Sequence, residues 1–157
     1  MKKETAIFGM GCFWKPELLF SEIKGVLETS VGFMGGIEDE DINYEKVCSD
    51  LTGHAEVVRV EFDPSKVSYG DLLDIFWNNH NPTQGNRQGP DVGSQYRSVI
   101  FYMNDKQKKM AEESKRKIQT KFDKKITTEI KKAGKFFKAE EYHQKYLEKR
   151  GLKTCHI

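Results

Sequence analysis

Residues 5–19 read Thr5-Ala6-Ile7-Phe8-Gly9-Met10-Gly11-Cys12-Phe13-Trp14-Lys15-Pro16-Glu17-Leu18-Leu19. A short apolar run meets a glycine turn, and from Phe13 onward Trp14, Leu18, Leu19 and Ile23 recur at helical spacing. This predicts a strand that passes through a tight turn into a helix. Pro16 and Glu17 suit the first helical turn, where a missing N–H is harmless and a negative charge meets the positive end of the dipole. Gly25 is expected to end that helix, Val26 to Phe33 to form a second strand stopped by Gly35-Gly36, and the acidic residues 38–41 to form an exposed loop.

The same reading extends along the chain. Residues 57–62 alternate as a strand closed by Asp63-Pro64, and Ser68 with Asp71 forms a capping box for a helix carrying Leu72, Leu73, Ile75, Phe76 and Trp77. Asn78 to Gln95 is a long polar connection of the kind that is usually functional or disordered. A strand follows at 96–102, then a basic helix from an Asn104 cap to about Lys121, a weak strand at 126–130 and a helical stretch at 139–150. The order β-α-β-β-α-β over residues 5–102 predicts an α+β fold, a two-layer α/β sandwich with a ferredoxin-like split βαβ core. The C-terminal helices and an irregular tail occupy 103–157.

With 157 residues, 37% of them hydrophobic and 32% charged, the chain is expected to fold as one domain. No apolar run approaches the roughly 18 residues of a membrane span, and the first residues reach Gly9-Met10-Gly11 before a signal-peptide core develops. A cytoplasmic monomer is the expectation. Residues 105–150 carry 16 Lys/Arg against 8 Asp/Glu. The acids Glu112, Glu113, Glu140, Glu141 and Glu148 interrupt the basic run at helical spacings, which favours a solvated face over a nucleic-acid surface.

Cys12, Cys48 and Cys155 are too few and too dispersed for a disulfide framework, and no CxxC pair suggests zinc. Cys12 sits where the glycine turn becomes a helix, so amide groups and the dipole can stabilise its thiolate; inert cysteines occupy such positions too. Phe13 and Trp14 cannot both point into one helical core face, so at least one is expected beside the thiol, the alternative being that both are core. Glu56, in Thr52-Gly53-His54-Ala55-Glu56, opens an apolar strand where burial keeps a carboxyl protonated; a solvated strand end is the other reading. Asp91 and Tyr96 lie in the long loop, and Tyr44 follows the acidic stretch. Cys48, beside Val47 and Leu51, reads as packing. Cys155 lies near the chain end, where a mobile thiol could resolve an oxidised partner. A metal site with His156 lacks further ligands.

Gly11-Cys12-Phe13-Trp14 with Glu17, Tyr44 with Val47-Cys48-Ser49, residues 52–56, and Gly89-Pro90-Asp91-Val92-Gly93-Ser94-Gln95-Tyr96-Arg97-Ser98 together resemble the A-class peptide methionine sulfoxide reductases, and Ala139 to Gln144 with the late Cys155 looks like that family's C-terminal region. The resemblance implies Cys12 as nucleophile, Phe13 and Trp14 as walls for the substrate's methyl group, Glu56 as proton donor, Tyr44 and Tyr96 as hydrogen-bonding phenols, Asp91 as a supporting carboxylate and Cys155 as the recycling thiol. It implies action on the S epimer of methionine sulfoxide, free or in proteins, and re-reduction by thioredoxin or another dithiol, without a metal or organic cofactor. Lys15-Pro16, Phe33 and Ile42-Asn43 depart from the residues usual in that family. Three other functions compete on the residues alone. One is a cysteine acyl transferase or hydrolase with His54, His80 or His143 as base, another a thiol peroxidase, and the third a binding module built on the basic helix.

Overall fold

A computed structural model of the chain describes residues 3–37, 42–48 and 52–149. The strands are β1 (Glu4–Met10), β2 (Val26–Met34), β3 (Ala55–Phe62), β4 (Arg87–Gln88), β5 (Asp91–Val92), β6 (Ser98–Tyr102), β7 (Glu129–Lys132) and β8 (Phe137–Lys138). The helices are α1 (Trp14–Ser21), α2 (Tyr44–Cys48), α3 (Tyr69–Asn78), α4 (Asp105–Gln119) and α5 (Tyr146–Lys149). Six strands form one sheet in the order β7-β6-β1-β3-β2-β8. Its inner four, β6-β1-β3-β2, pair antiparallel throughout and are the split βαβ core expected from sequence. β7 joins β6 in parallel, and β8 adds antiparallel to β2.

The period of two along each strand divides the sheet's faces. Phe8, Val31, Phe33, Val58, Val60, Phe62 and Ile100 point to one face, where Phe20 of α1 and Leu72 and Phe76 of α3 cover them. Ile7, Met34, Ala55, Val57, Val99 and Phe101 point to the other, where Ala133 and Phe136 from the β7–β8 connection close over them. Glu56 has the same parity as Val58 and Val60, so its carboxyl is directed into the helix-covered face. In register it stands opposite Phe33 of β2.

Local signals set the helix starts. Ser68 and Asp71 form the reciprocal capping box, with side-chain to backbone distances of 3.0 Å each way. Asn104 accepts from the Gln107 amide at 2.9 Å to start α4, of which only Gln107 and Ala111 are buried. Lys106, Lys108, Lys109, Arg116 and Lys117 are exposed, whereas Lys115 turns back to donate to the Thr128 carbonyl at 2.9 Å.

Three expectations need correction. The weak strand lies at 129–132, because the Ile126 side chain is consumed by the core and Thr127 bonds back to Pro82. The polar connection 78–95 contains the β4–β5 hairpin and a 3-10 turn at Ser94–Tyr96. Residues 139–150 do not form one helix. A 3-10 turn at Glu141–His143 is followed by Lys145 at φ 53°, a left-handed residue that an α-helix cannot contain, and only α5 is helical beyond it.

His80, half-buried after α3, donates from Nδ1 to the Phe76 carbonyl at 2.6 Å, which leaves Nε2 to accept from Ser98 Oγ at 2.7 Å. Ser98 in turn receives a hydrogen bond from Thr128 at 2.7 Å. Burial keeps the ring neutral at pH 7, pushing it down from 6.5 to about 4. The unfolded chain takes this proton near 6.5 and the native ring does not, so stability falls as pH drops between those values, by up to about 3 kcal/mol. Urea unfolding at pH 7 and pH 5 checks this. His80→Gln should flatten the pH dependence, and an unchanged slope would rule out His80 as its source.

Candidate active site

β1 delivers the chain to Gly11, whose φ of 95° is a backbone conformation that side chains resist. A Cβ there would lie 2.8 Å from Cβ of Gln88, so the turn and the β4–β5 hairpin close against each other through a glycine. The next residue, Cys12, is half-buried immediately before α1. Phe13 is the N-cap of α1 and has no side-chain cap of its own. Its amide instead donates to Glu56 Oε1 at 3.3 Å, across 43 residues. Glu56 is 1% exposed. The start of the helix, the cysteine and a sealed carboxyl are thus joined at one point, on the positive end of the α1 dipole.

Two phenols face this point. Tyr44 opens α2, and its hydroxyl is pushed well above the ordinary range by burial, then by a hydrogen bond with the Cys48 thiol and by the nearby Glu56 and Tyr96. Tyr96 closes the 3-10 turn and is pushed up by burial, then by Glu56, Cys48, Asp91 and Cys12. Both hydroxyls therefore keep their protons at neutral pH. Asp91 lies on β5 opposite Gln88. It lines, with Cys12, Lys15, Pro16 and His80, a cleft of about 180 Å³. Larger hollows, such as one of about 690 Å³ between α4 and β7, contain none of these groups.

The aromatic pair divides as its spacing required. Phe13 is buried, 5.7 Å from the Phe33 ring and 6.4 Å from Tyr44. Trp14 is half-buried, stacked on Tyr146 at 3.8 Å. The structure therefore brings together Cys12, Phe13, Trp14, Tyr44, Glu56, Asp91 and Tyr96. Cys155 lies outside the described residues. Among the described residues, no three of His, Cys, Asp or Glu converge as metal ligands.

Cys48 is not core packing. Val47 takes the buried position of α2, and Cys48 is exposed on the side that carries Tyr44, four residues earlier. Its thiol reaches both Tyr44 and Gln95 and is pushed up, chiefly by desolvation. The signal was the i, i+4 spacing of Tyr44 and Cys48. His143, Tyr146 and Glu140 also reach the site, Glu140 accepting from the Tyr44 amide at 3.1 Å. No local pattern announces these contacts, since they close loops of about a hundred residues. Of the three histidines considered as bases, His54 accepts from Gly36 N at 3.0 Å and donates to the Ile37 carbonyl, and both nitrogens of His80 are engaged. Neither has a ring nitrogen to spare for a cysteine.

The family model described as "Peptide methionine sulfoxide reductase" matches residues 4–157. The peptide methionine sulfoxide reductase MsrA of Methanothermobacter thermautotrophicus is 55% identical over 156 residues, covering 98% of this chain and 92% of the relative. The chain belongs to the MsrA family of peptide methionine sulfoxide reductases. Among solved structures, the reduced form of Mxr1 from Saccharomyces cerevisiae superposes with a TM-score of 0.91 at 36% identity, over 96% of this chain and 87% of that one. Mxr1 has also been solved in complex with Trx2, a chain that matches at 24% identity with a TM-score of 0.65, over 92% of this chain and 85% of that one.

The family assigns the reaction, reduction of methionine sulfoxide. The turn at Gly11 leads directly into Cys12 and the Phe13 amide that is bonded to Glu56. Gly11→Ala forces a left-handed residue against Gln88 and should lower stability by about 1–3 kcal/mol. It should also change the rate at which iodoacetamide alkylates Cys12. Equilibrium unfolding and peptide mapping of the alkylated cysteine measure the two effects, and wild-type values for both would show that the turn does not depend on glycine.

Proposed function

We propose that this protein reduces the S epimer of methionine sulfoxide, free or within proteins, by oxygen transfer to Cys12. The reading rests on one observation above others: the amide that starts α1 is bonded to the buried Glu56 carboxyl, one residue from the Cys12 thiol.

Sulfoxide oxygen is a poor leaving group, so it must gain a proton as sulfur is attacked. The Cys12 thiolate, favoured by the α1 dipole, attacks the sulfoxide sulfur while Glu56, in its protonated form, gives its proton to the oxygen. The hydroxyls of Tyr44 and Tyr96, protonated at neutral pH, donate to the same oxygen as charge develops on it. Phe13 and Trp14 receive the S-methyl group. The methionine S–O bond breaks as the oxygen, now a hydroxyl, passes to the Cys12 sulfur, and the S–S bond formed in the attack breaks with its electron pair going to the methionine sulfur, so that Cys12 becomes a sulfenic acid and methionine leaves reduced. The Asp91 carboxylate supports Tyr96 from the edge of the cleft.

Cys155 then attacks the sulfenic sulfur, releasing water and forming a Cys12–Cys155 disulfide. A dithiol opens that disulfide by exchange and is oxidised in turn. Thioredoxin is the proposed dithiol, supported by the yeast relative's complex with Trx2. The sum is one sulfoxide and one dithiol converted to one thioether, one disulfide and one water.

Glu56→Gln keeps shape but has no acidic proton. It should slow methionine formation in the first turnover by about 10²–10⁴-fold. An unchanged rate would remove Glu56 from proton transfer. Cys155→Ser should still release methionine once per chain but should fail to turn over with thioredoxin as sole reductant, and sustained turnover would refute the resolving role.

A further inference from the structure

His143 lies at the end of the 3-10 turn Glu141–His143, is 2% exposed and is used by none of the steps above. Its ring centroid is 4.3 Å from Tyr44, 5.3 Å from Phe13 and 5.8 Å from Trp14, so it lies against both walls of the methyl seat and against a phenol beside them. The Trp14 indole donates from Nε1 to His143 Nδ1 at 3.1 Å. Resting on the function proposed above, we propose that His143 is the positioning residue of that seat: a neutral imidazole that fixes the Trp14 indole through Nδ1 and so sets how closely the pocket fits a methyl group.

An indole N–H can only donate, so Nδ1 must present a lone pair and the ring's single proton must sit on Nε2. That Nε2 is buried and has no hydrogen-bond partner among the described residues. A phenylalanine or leucine in the same aromatic cluster would fill the space without leaving a buried donor unmet. What the imidazole supplies, and an apolar residue cannot, is the acceptor at Nδ1. Burial also pushes this histidine below its ordinary range, against the opposing pull of Glu140, which is consistent with a ring that stays neutral.

The surrounding chain holds the imidazole in place. The Gln144 side chain accepts from the Val31 amide at 2.9 Å and donates to the carbonyls of Val31 and Ala139 at 2.9 and 2.8 Å, docking the segment on β2 like an added strand residue. The next amide, Lys145 N, donates to the buried Glu17 carboxylate of α1. The indole is then held from two sides, by the Tyr146 ring stacked 14° from parallel and by the His143 acceptor at its edge. A stack alone lets an indole slide and rotate in its own plane. A hydrogen bond at Nε1 removes that freedom.

The test compares S-sulfoxides of methionine and ethionine in single turnovers of the full chain. His143→Leu should reduce the preference for the methyl over the ethyl substrate about tenfold, and His143→Asn, whose Oδ1 can replace Nδ1, should restore most of it. Alkylation of Cys12 should change less than twofold in either variant. Retained discrimination in folded His143→Leu would overturn the proposal. A measurement on the unaltered protein guards against a variant that fails to fold. The ¹⁵N shifts of His143 should be pyridine-like at Nδ1 and pyrrole-like at Nε2, with the Trp14 indole proton slow to exchange; a protonated Nδ1 would overturn the proposal. Failure of the wild type to reduce either substrate would refute the function itself while leaving this tautomer result independently readable.

Discussion

The hydrogen bond from the Phe13 amide to the Glu56 carboxyl ties the first turn of α1 to the centre of the sheet. A helix start needs an acceptor for its free amides, and here the acceptor comes from β3 instead of from the N-cap side chain. One bond therefore caps a helix, holds an acidic side chain in a buried place and sets it beside the residue that precedes the helix, Cys12. Such a bond is worth about 1.5–3 kcal/mol if the acceptor is charged, and less if it is neutral. Its larger consequence is geometric, because Phe13, Tyr44 and Tyr96 all lie next to that carboxyl.

The sheet explains why the arrangement is rigid. Glu56 stands opposite Phe33, and Phe33 packs on Phe13 and Tyr44, so the residue paired with the carboxyl also forms the floor of the aromatic seat. Gly9 lets β1 lie against Val99 of β6, and Gly11 lets the turn close on Gln88 of the hairpin, where a Cβ would collide. On the opposite rim, residues 139–147 close the seat by bonding to β2 and to Glu17. Residues 139–147 are thus part of the pocket wall, next to Trp14.

Much of this is legible in the sequence where the physics is local. The Gly-Met-Gly turn, the Ser68 and Asn104 caps and the alternation of β3 each depend on neighbours within a few residues, and each appears where the spacing puts it. Glu56 is legible because its parity matches Val58 and Val60. Cys48 misleads because its flanking apolar residues suggest core, whereas Val47 satisfies the core and the helix turns Cys48 toward Tyr44. The stretch 139–150 reads falsely as helix because periodicity does not reveal that Gln144 imitates a strand residue against Val31. From sequence, His143 is a candidate only as a general base. Its bond to Trp14 spans 129 residues and has no local signature.

The proposed oxygen transfer from the S epimer of the sulfoxide to Cys12 is the step on which the proposed function depends. The reduced protein, incubated with each epimer of methionine sulfoxide and no added reductant, is assayed for methionine formed and thiols lost per chain. The expected result is conversion of the S epimer alone, with Cys12 and Cys155 lost together and Cys48 still open to alkylation. Equal conversion of both epimers, or methionine formed while the Cys12 thiol persists, would contradict oxygen transfer to that sulfur.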